Sequence, residues 1–138
     1  MGYTHYFSNT KTIPLVQWNK LTKDVNKLMK HSNKNKVVAR EYDDTNTPPV
    51  INENQISFNG IGDDGHETFF IKRKGGNNEF CKTARKPYDL IACITLILYS
   101  NHVKGTEISS DGDLDDIEWQ SAVSLANDLF GLKPKFTL

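Results

Sequence analysis

Cysteine is scarce in this chain: its 138 residues include only Cys81 and Cys93. The two stand twelve positions apart, with no CxxC spacing and no histidine beside them in sequence, which argues against a zinc site or a redox motif. Net charge is lacking as well, because 17 basic side chains balance 17 acidic ones. A general nucleic-acid coat needs a basic surface that displaces counterions from phosphates, so bulk nucleic acid is excluded as a partner. Neutrality also removes any long-range pull toward anionic lipid, and no membrane partner is expected. Long hydrophobic runs are missing too. Leu90 to Leu98 is apolar apart from Thr95, well short of the ~20 residues that span a bilayer. The opening MGYTHYFSNTK has no continuous apolar stretch of the signal-peptide kind, and the expected location is the cytoplasm. Internal repeats and linkers are absent, and the length suits one domain, taken as 1–138.

The zero net charge conceals an uneven distribution. Residues 1–42 carry seven lysines and Arg40 against Asp24 and Glu41, a net +6. Residues 105–128 carry seven acids and no base, a net −7. Two solvated faces explain this simply. Complementary patches that support a homo-oligomer are the alternative.

The pattern along the chain predicts an α+β single domain, an antiparallel sheet packed with about three helices in the order β-α-β-β-β-β-α-β-α. Tyr3 to Phe7 reads as an opening strand, and Thr12 with Pro14 as a helix start. Leu15, Trp18, Leu21, Val25, Leu28 and Met29 recur at helical spacing, with lysines opposite, so a helix is expected from about Ile13 to His31. The segment 33–36 ends it, Val37–Glu41 is a strand, and 43–49 a polar loop. A hairpin of Gln55–Asn59 and His66–Lys72 should follow, joined by GIGDDG with a tight turn at Asp64-Gly65. After a short strand at Glu79–Cys81, Pro87 opens a helix to about His102, apolar on nearly all sides and therefore central. Glu107–Ser110 is a last strand. The final helix starts at Asp113, shows an apolar face of Leu114, Ile117, Val123, Leu125, Ala126, Leu129 and Phe130, and stops at Gly131.

Four segments carry candidate chemistry. In FCKTARKPYDL, Lys82, Arg85 and Lys86 crowd ahead of a helix start, where acids are usually preferred. An anion there, received with Thr83 and backbone N–H groups, would reverse the penalty. Solvated bases, or bases paired with the acidic 111–118 stretch, account for the same pattern. In GIGDDGHETFF, His66 and Thr68 should share a strand face opposite Glu67. No second His-x-Thr pair exists, so a two-histidine phosphoesterase is disfavoured. In SSDGDLDDIE, Ala122 stands where a calcium loop requires its last glutamate, and that motif is rejected. Asp113 is expected to cap the last helix, while Ser110 and Asp111 are free to meet a sugar or base. In GYTHYF, Thr4 and Tyr6 fall on one strand face and Tyr3, His5 and Phe7 on the other; His5, Tyr6 or Tyr88 could stack on a base. Neither a Ser-His-Asp arrangement nor a Walker loop is recognisable, and no catalytic residue, cofactor or metal ion is implied.

Together GYTHYF, FNGIGDDGHETFF, CKTARKPYDL and SSDGD resemble a family of small proteins encoded by tailed phages and prophages. The likeness covers most of the chain, although Leu114 stands where that family has Trp, so no aromatic contact is carried over there. The resemblance implies a sponge of the kind phages use against cyclic-oligonucleotide immune signalling (CBASS). Such a protein works in the host bacterial cytoplasm, often as a homo-oligomer, and sequesters its ligand without cleaving it. A cyclic dinucleotide is the expected small anionic ligand. The alternatives are an enzyme acting on a nucleotide or phosphodiester through His66 and Glu67, and a phage protein that inhibits a host protein by direct binding.

Overall fold

The computed structural model describes residues 2–33, 37–41 and 47–138. The most hydrophobic stretch forms the helix at the centre. Helix α2 (Asp89–His102) buries eleven of its fourteen residues, from Asp89 through Ser100, so it needs covering on every side. Helix α1 (Leu15–Asn33) covers one flank with Trp18, Leu21, Val25, Leu28 and Met29. Helix α3 (Ile117–Phe130) covers another with Trp119, Ala122 and Ala126. The strands close the remaining side. Strand β1 (Thr4–Asn9) lies between β6 (Asn77–Lys82) and β7 (Glu107–Ser110), antiparallel to both.

The other strands form a second antiparallel sheet around β4 (Gln55–Gly60), which pairs with β2 (Val38–Ala39), β3 (Val50–Ile51) and β5 (Phe69–Lys72). A stack of three rings joins the sheets. Phe69 lies between Phe7 and Phe58, with centroids 4.9 and 4.8 Å away and planes 20° and 25° apart. Beside it Asn9 Oδ1 accepts from Asn77 Nδ2 at 2.8 Å and from the Tyr99 hydroxyl at 2.6 Å, tying β1, β6 and α2 together.

The α+β class, the three helices and the antiparallel pairing agree with the sequence pattern. The expected single sheet is divided in two, and Val50–Ile51 adds a strand too short to leave a periodic signal. His66–Thr68 is not part of a strand; the chain before β5 is a 3-10 turn at Gly62–Asp64 and then an irregular stretch. Buried Asn59 holds that stretch, accepting from His66 N and donating to His66 O, each at 3.0 Å. Thr12 does not cap α1, since its hydroxyl accepts from Gly75 N at 2.9 Å, and the Pro14 carbonyl takes the first helical N–H, from Trp18. Leu15 and Ile117 were expected on apolar faces and are 50% and 71% exposed. Helix α3 starts after Asp116, whose carboxylate accepts from Asp113 N at 2.9 Å, so the cap expected at Asp113 lies three residues later. The expected stop at 33–36 and the loop at 43–49 fall partly on 34–36 and 42–46, which lie outside the described residues.

The turn between β5 and β6 is set by backbone contact. Gly76 has a φ of +76°, and a Cβ there would stand 2.8 Å from the Asn9 carbonyl oxygen. Gly76→Ala is therefore expected to lower unfolding free energy by at least about 1 kcal/mol. Urea denaturation reads this directly, and an unchanged midpoint would contradict the packing described.

Candidate functional site

The alternation of β1 sends Tyr3, His5 and Phe7 inward, while Thr4 and Tyr6 face out. The inward face meets α2 and α3, and there His5 enters a buried polar network. Its Nε2 lies 2.7 Å from Asp89 Oδ1 and its Nδ1 2.7 Å from Ser110 Oγ. Register explains the second contact, because His5 and Ser110 are directly opposed in the β1–β7 pair. Thr83 Oγ1 donates to the same Asp89 oxygen at 2.5 Å, and Cys93 Sγ lies 3.6 Å from the other. Trp119 Nε1 and Gly112 N donate to Ser110 Oγ at 3.2 and 3.0 Å.

Counting donors and acceptors assigns the protons. A serine hydroxyl offers two lone pairs and one hydrogen. Trp119 and Gly112 take both lone pairs, so the Ser110 hydrogen must go to His5 Nδ1. His5 then donates from Nε2 to Asp89, which gives the order Ser110 to His5 to Asp89. That is the hydrogen-bond order of a nucleophile, base and orienting acid. No local pattern announces it, the three residues being separated by 84 and 21 positions. Its setting is structural, however: His5 is 0% exposed, and its imidazole is enclosed by Asp89, Ser110, Tyr3 and Trp119. The serine oxygen is also fully engaged by two donors, which leaves no lone pair for attack on a carbonyl.

His5, Asp89 and Cys93 also bring three metal-ligand types within 4.8 Å of one another. The proton assignment opposes a metal ion there, because Nε2 is the donor to Asp89. Burial, followed by the Asp89 charge, pushes the Cys93 thiol well above its ordinary range. Burial likewise pushes Cys81 up to about 12.

Tyr3 closes this end of the molecule. Its ring meets His5 edge-on at 5.1 Å and carries the Arg85 guanidinium 4.1 Å above its centroid. Its hydroxyl is the one buried side-chain polar atom without a hydrogen-bond partner among the described residues. It lies so close to Gly112 that a Cβ there would come within 2.0 Å. Desolvation by burial raises the Tyr3 phenol above its ordinary range.

The sequence-predicted residues divide into those the structure gathers and those it takes inward. Thr4 is paired with Lys82, and Thr4 N donates to Asp111 Oδ2 at 3.0 Å, while the Tyr6 hydroxyl approaches Asp111 Oδ1 at 3.4 Å. Thr83 N and Ala84 N both donate to Tyr3 O, so three of the four segments share one end of the β6-β1-β7 sheet. The fourth joins through Glu67, whose Oε1 accepts from Lys82 N at 2.7 Å and whose carbonyl accepts from the Tyr88 hydroxyl at 2.6 Å. Arg85 pairs with Glu118 at 3.1 Å, as the pairing with the acidic stretch anticipated. Among the described residues Lys82 and Lys86 have no ion-pair partner.

His5, Thr83, Tyr88 and Ser110 are corrections to the surface reading. The first three are fully buried, and all four have their polar atoms committed to neighbouring groups. Glu67 is occupied by backbone. Thr68 is turned to Glu41 at 3.1 Å, and His66 is exposed with no contact joining its ring to the Glu67 carboxylate among the described residues, so an acid/base pair of the two gains no support. Two residues were missed. Trp119 donates into the network at Ser110, and Phe80, directly opposite Tyr6, is 61% exposed. Period-two alternation from Lys82 could have found Phe80. No family model, curated protein or solved structure matches the chain. No helix among the described residues is long and apolar enough to cross a membrane.

Two outcomes are expected. Ser110→Ala leaves His5 Nδ1 and two N–H donors unpaired and should cost about 1–3 kcal/mol or more, whereas Tyr3→Phe removes an unpaired hydroxyl and should be neutral or stabilising; guanidinium unfolding compares them, and equal effects would refute the network. Native protein at pH 8 should show no thiol reactive toward an aromatic disulfide reagent, and both cysteines should react after unfolding. Rapid labelling of the folded chain would contradict the buried placement.

Proposed function

We propose that this chain binds a small phosphate-bearing ligand, a cyclic oligonucleotide, at the end of the β6-β1-β7 sheet and holds it without cleaving it. In this reading it is a phage-encoded sponge that acts in the bacterial host cytoplasm against CBASS signalling, as a homo-oligomer. The observation that carries it is the meeting of GYTHYF, CKTARKPYDL and SSDGD at one sheet end, with Lys82 and Lys86 free of ion pairs among the described residues. Unpaired ammonium groups near a helix start supply the charge that phosphates need. Lys86 and Arg85 border a depression of about 260 Å³ with Asp89, Leu90, Ile117, Glu118 and Ser121, and Thr4 and Tyr6 meet at Asp111 beside β1.

The same residues support binding without cleavage. Ser110 and His5 spend their protons within the network, on His5 Nδ1 and on Asp89. His66 and Glu67 do not form a working pair. What remains at the surface is suited to binding: cations for phosphate, a phenol, and a carboxylate that can accept from a base edge.

Calorimetry against a panel of cyclic dinucleotides tests the proposal. Affinity tighter than roughly tens of micromolar is expected, with the ligand recovered intact by chromatography. Lys82→Ala and Lys86→Ala should each weaken binding by about 1–2 kcal/mol, the worth of a charge-assisted hydrogen bond. No heat across the panel would sink the idea, and recovery of a hydrolysed product would replace the sponge with an enzyme.

A further inference from the structure

The outward face of the β6-β1-β7 sheet has a composition that differs from the rest of the surface. Tyr6 is 44% exposed and Phe80 61%, and the two are directly opposed in the β1–β6 register. Opposed residues on one sheet face keep their side chains adjacent. Among the described residues neither ring stacks on another, in contrast to Phe7, Phe69 and Phe58 on the inner side. Their neighbours on the face are Thr4, Ser8, Asn78 and Ser109, which are short and polar, so the rings stand clear of their surroundings. A depression of about 470 Å³ lies over them.

We propose that this face is a stacking platform for nucleobases, Tyr6 receiving one base and Phe80 a second, of a ligand that carries two bases and a phosphate. The inference rests on the nucleotide reading above and specifies how the bases are held. Flat π-faces accept any base by stacking, and an aromatic pair on a sheet offers two such faces at once. Charge fixes the orientation. Lys82 stands at one end of the face, opposite Thr4, and can meet phosphate, while Glu107, opposite Ser8, borders the other end and repels it. Asp111 is held beside the Tyr6 hydroxyl by Thr4 N, with lone pairs still available to accept from an amino or ring N–H on the edge of a stacked base.

A protein partner fits this face less well. The outward positions of the three strands hold no aliphatic side chain, and two half-exposed rings supply far less apolar area than the ~1,200 Å² of total surface that a stable interface buries. The polar residues around the rings match a flat ligand that needs stacking in the middle and hydrogen bonds at its edges.

Both rings are exposed, so their removal should leave the fold intact, which circular dichroism and the unfolding midpoint would verify. Wild type, Tyr6→Ala, Phe80→Ala and Phe80→Trp are titrated with cyclic diguanosine and cyclic diadenosine monophosphate. Each alanine variant is expected to bind about tenfold or more weakly, and Phe80→Trp to retain affinity with its fluorescence quenched by ligand. If wild type binds and both alanine variants bind equally well, the platform is wrong while the sponge reading stands. If wild type binds neither compound, both fall. If the alanine variants change only self-association in sedimentation, the face is a contact between copies of the chain and the platform is again overturned.

Discussion

The buried hydrogen bonds from Ser110 through His5 to Asp89 are the constraint on which this end of the molecule depends. They connect a central strand, an edge strand and the first residue of the central helix, and through Trp119 and Thr83 they reach α3 and the turn that leads into α2. His5, Asp89 and Thr83 are out of water and Ser110 is half-buried, so each would be costly without its partners. Satisfaction is collective: Asp89 Oδ1 takes two donors, Ser110 takes two and gives one, and His5 takes one and gives one. Removing any member strands at least two others. Apolar contacts around α2 make the fold stable in bulk, but they tolerate sliding. A network with fixed donors and acceptors at this depth admits one register of β1 against β7 and one placement of α2 beneath them.

That network was hidden in the sequence for a physical reason. Helical periodicity is local, so α1 and the buried α2 could be read from residues three and four apart, and Gly131 marked the end of α3 through its left-handed conformation. The alternation of GYTHYF was equally local and divided its residues correctly between two faces. Which face points inward was not local. Tyr3, His5 and Phe7 carry more ring than Thr4 and Tyr6, and that imbalance was the available signal. The partners of His5 lie 84 and 105 positions away, and only the folded sheet brings them together. The acidic stretch was misread by a single turn for the same reason, since Asp113 and Asp116 satisfy the same general capping preference and tertiary packing chooses between them.

Inside and outside positions on the same strands then have opposite tasks. Inward residues of β1, β6 and β7 fix the backbone; outward residues inherit that rigidity and need no contacts of their own to stay in place. Tyr6, Phe80 and Lys82 are on display because His5, Cys81 and Ser110 are anchored beneath them. A surface arranged in this way loses little entropy when it meets a flat ligand, since the positions of its side-chain roots are already set.

The turn after β6 shows what this arrangement demands of the backbone. Ala84 and Arg85 both have positive φ, at 52° and 56°, a conformation that costs non-glycine residues of order 1–3 kcal/mol each. Glycine or asparagine would meet the requirement with less strain. The sequence keeps Arg85 because its side chain does work that glycine could not: the guanidinium covers the Tyr3 ring and pairs with Glu118, bridging the strand end to α3. Thr83 must face inward to reach Asp89 while Lys82, one residue earlier, faces out. Within three residues the chain must then reverse into α2, and Tyr3 O accepts from both Thr83 N and Ala84 N to hold that reversal. The cluster of bases that looked misplaced at a helix start is thus divided by geometry. Arg85 offsets the strain of the turn by fastening it to its neighbours, while Lys82 and Lys86 on either side have no ion-pair partner among the described residues.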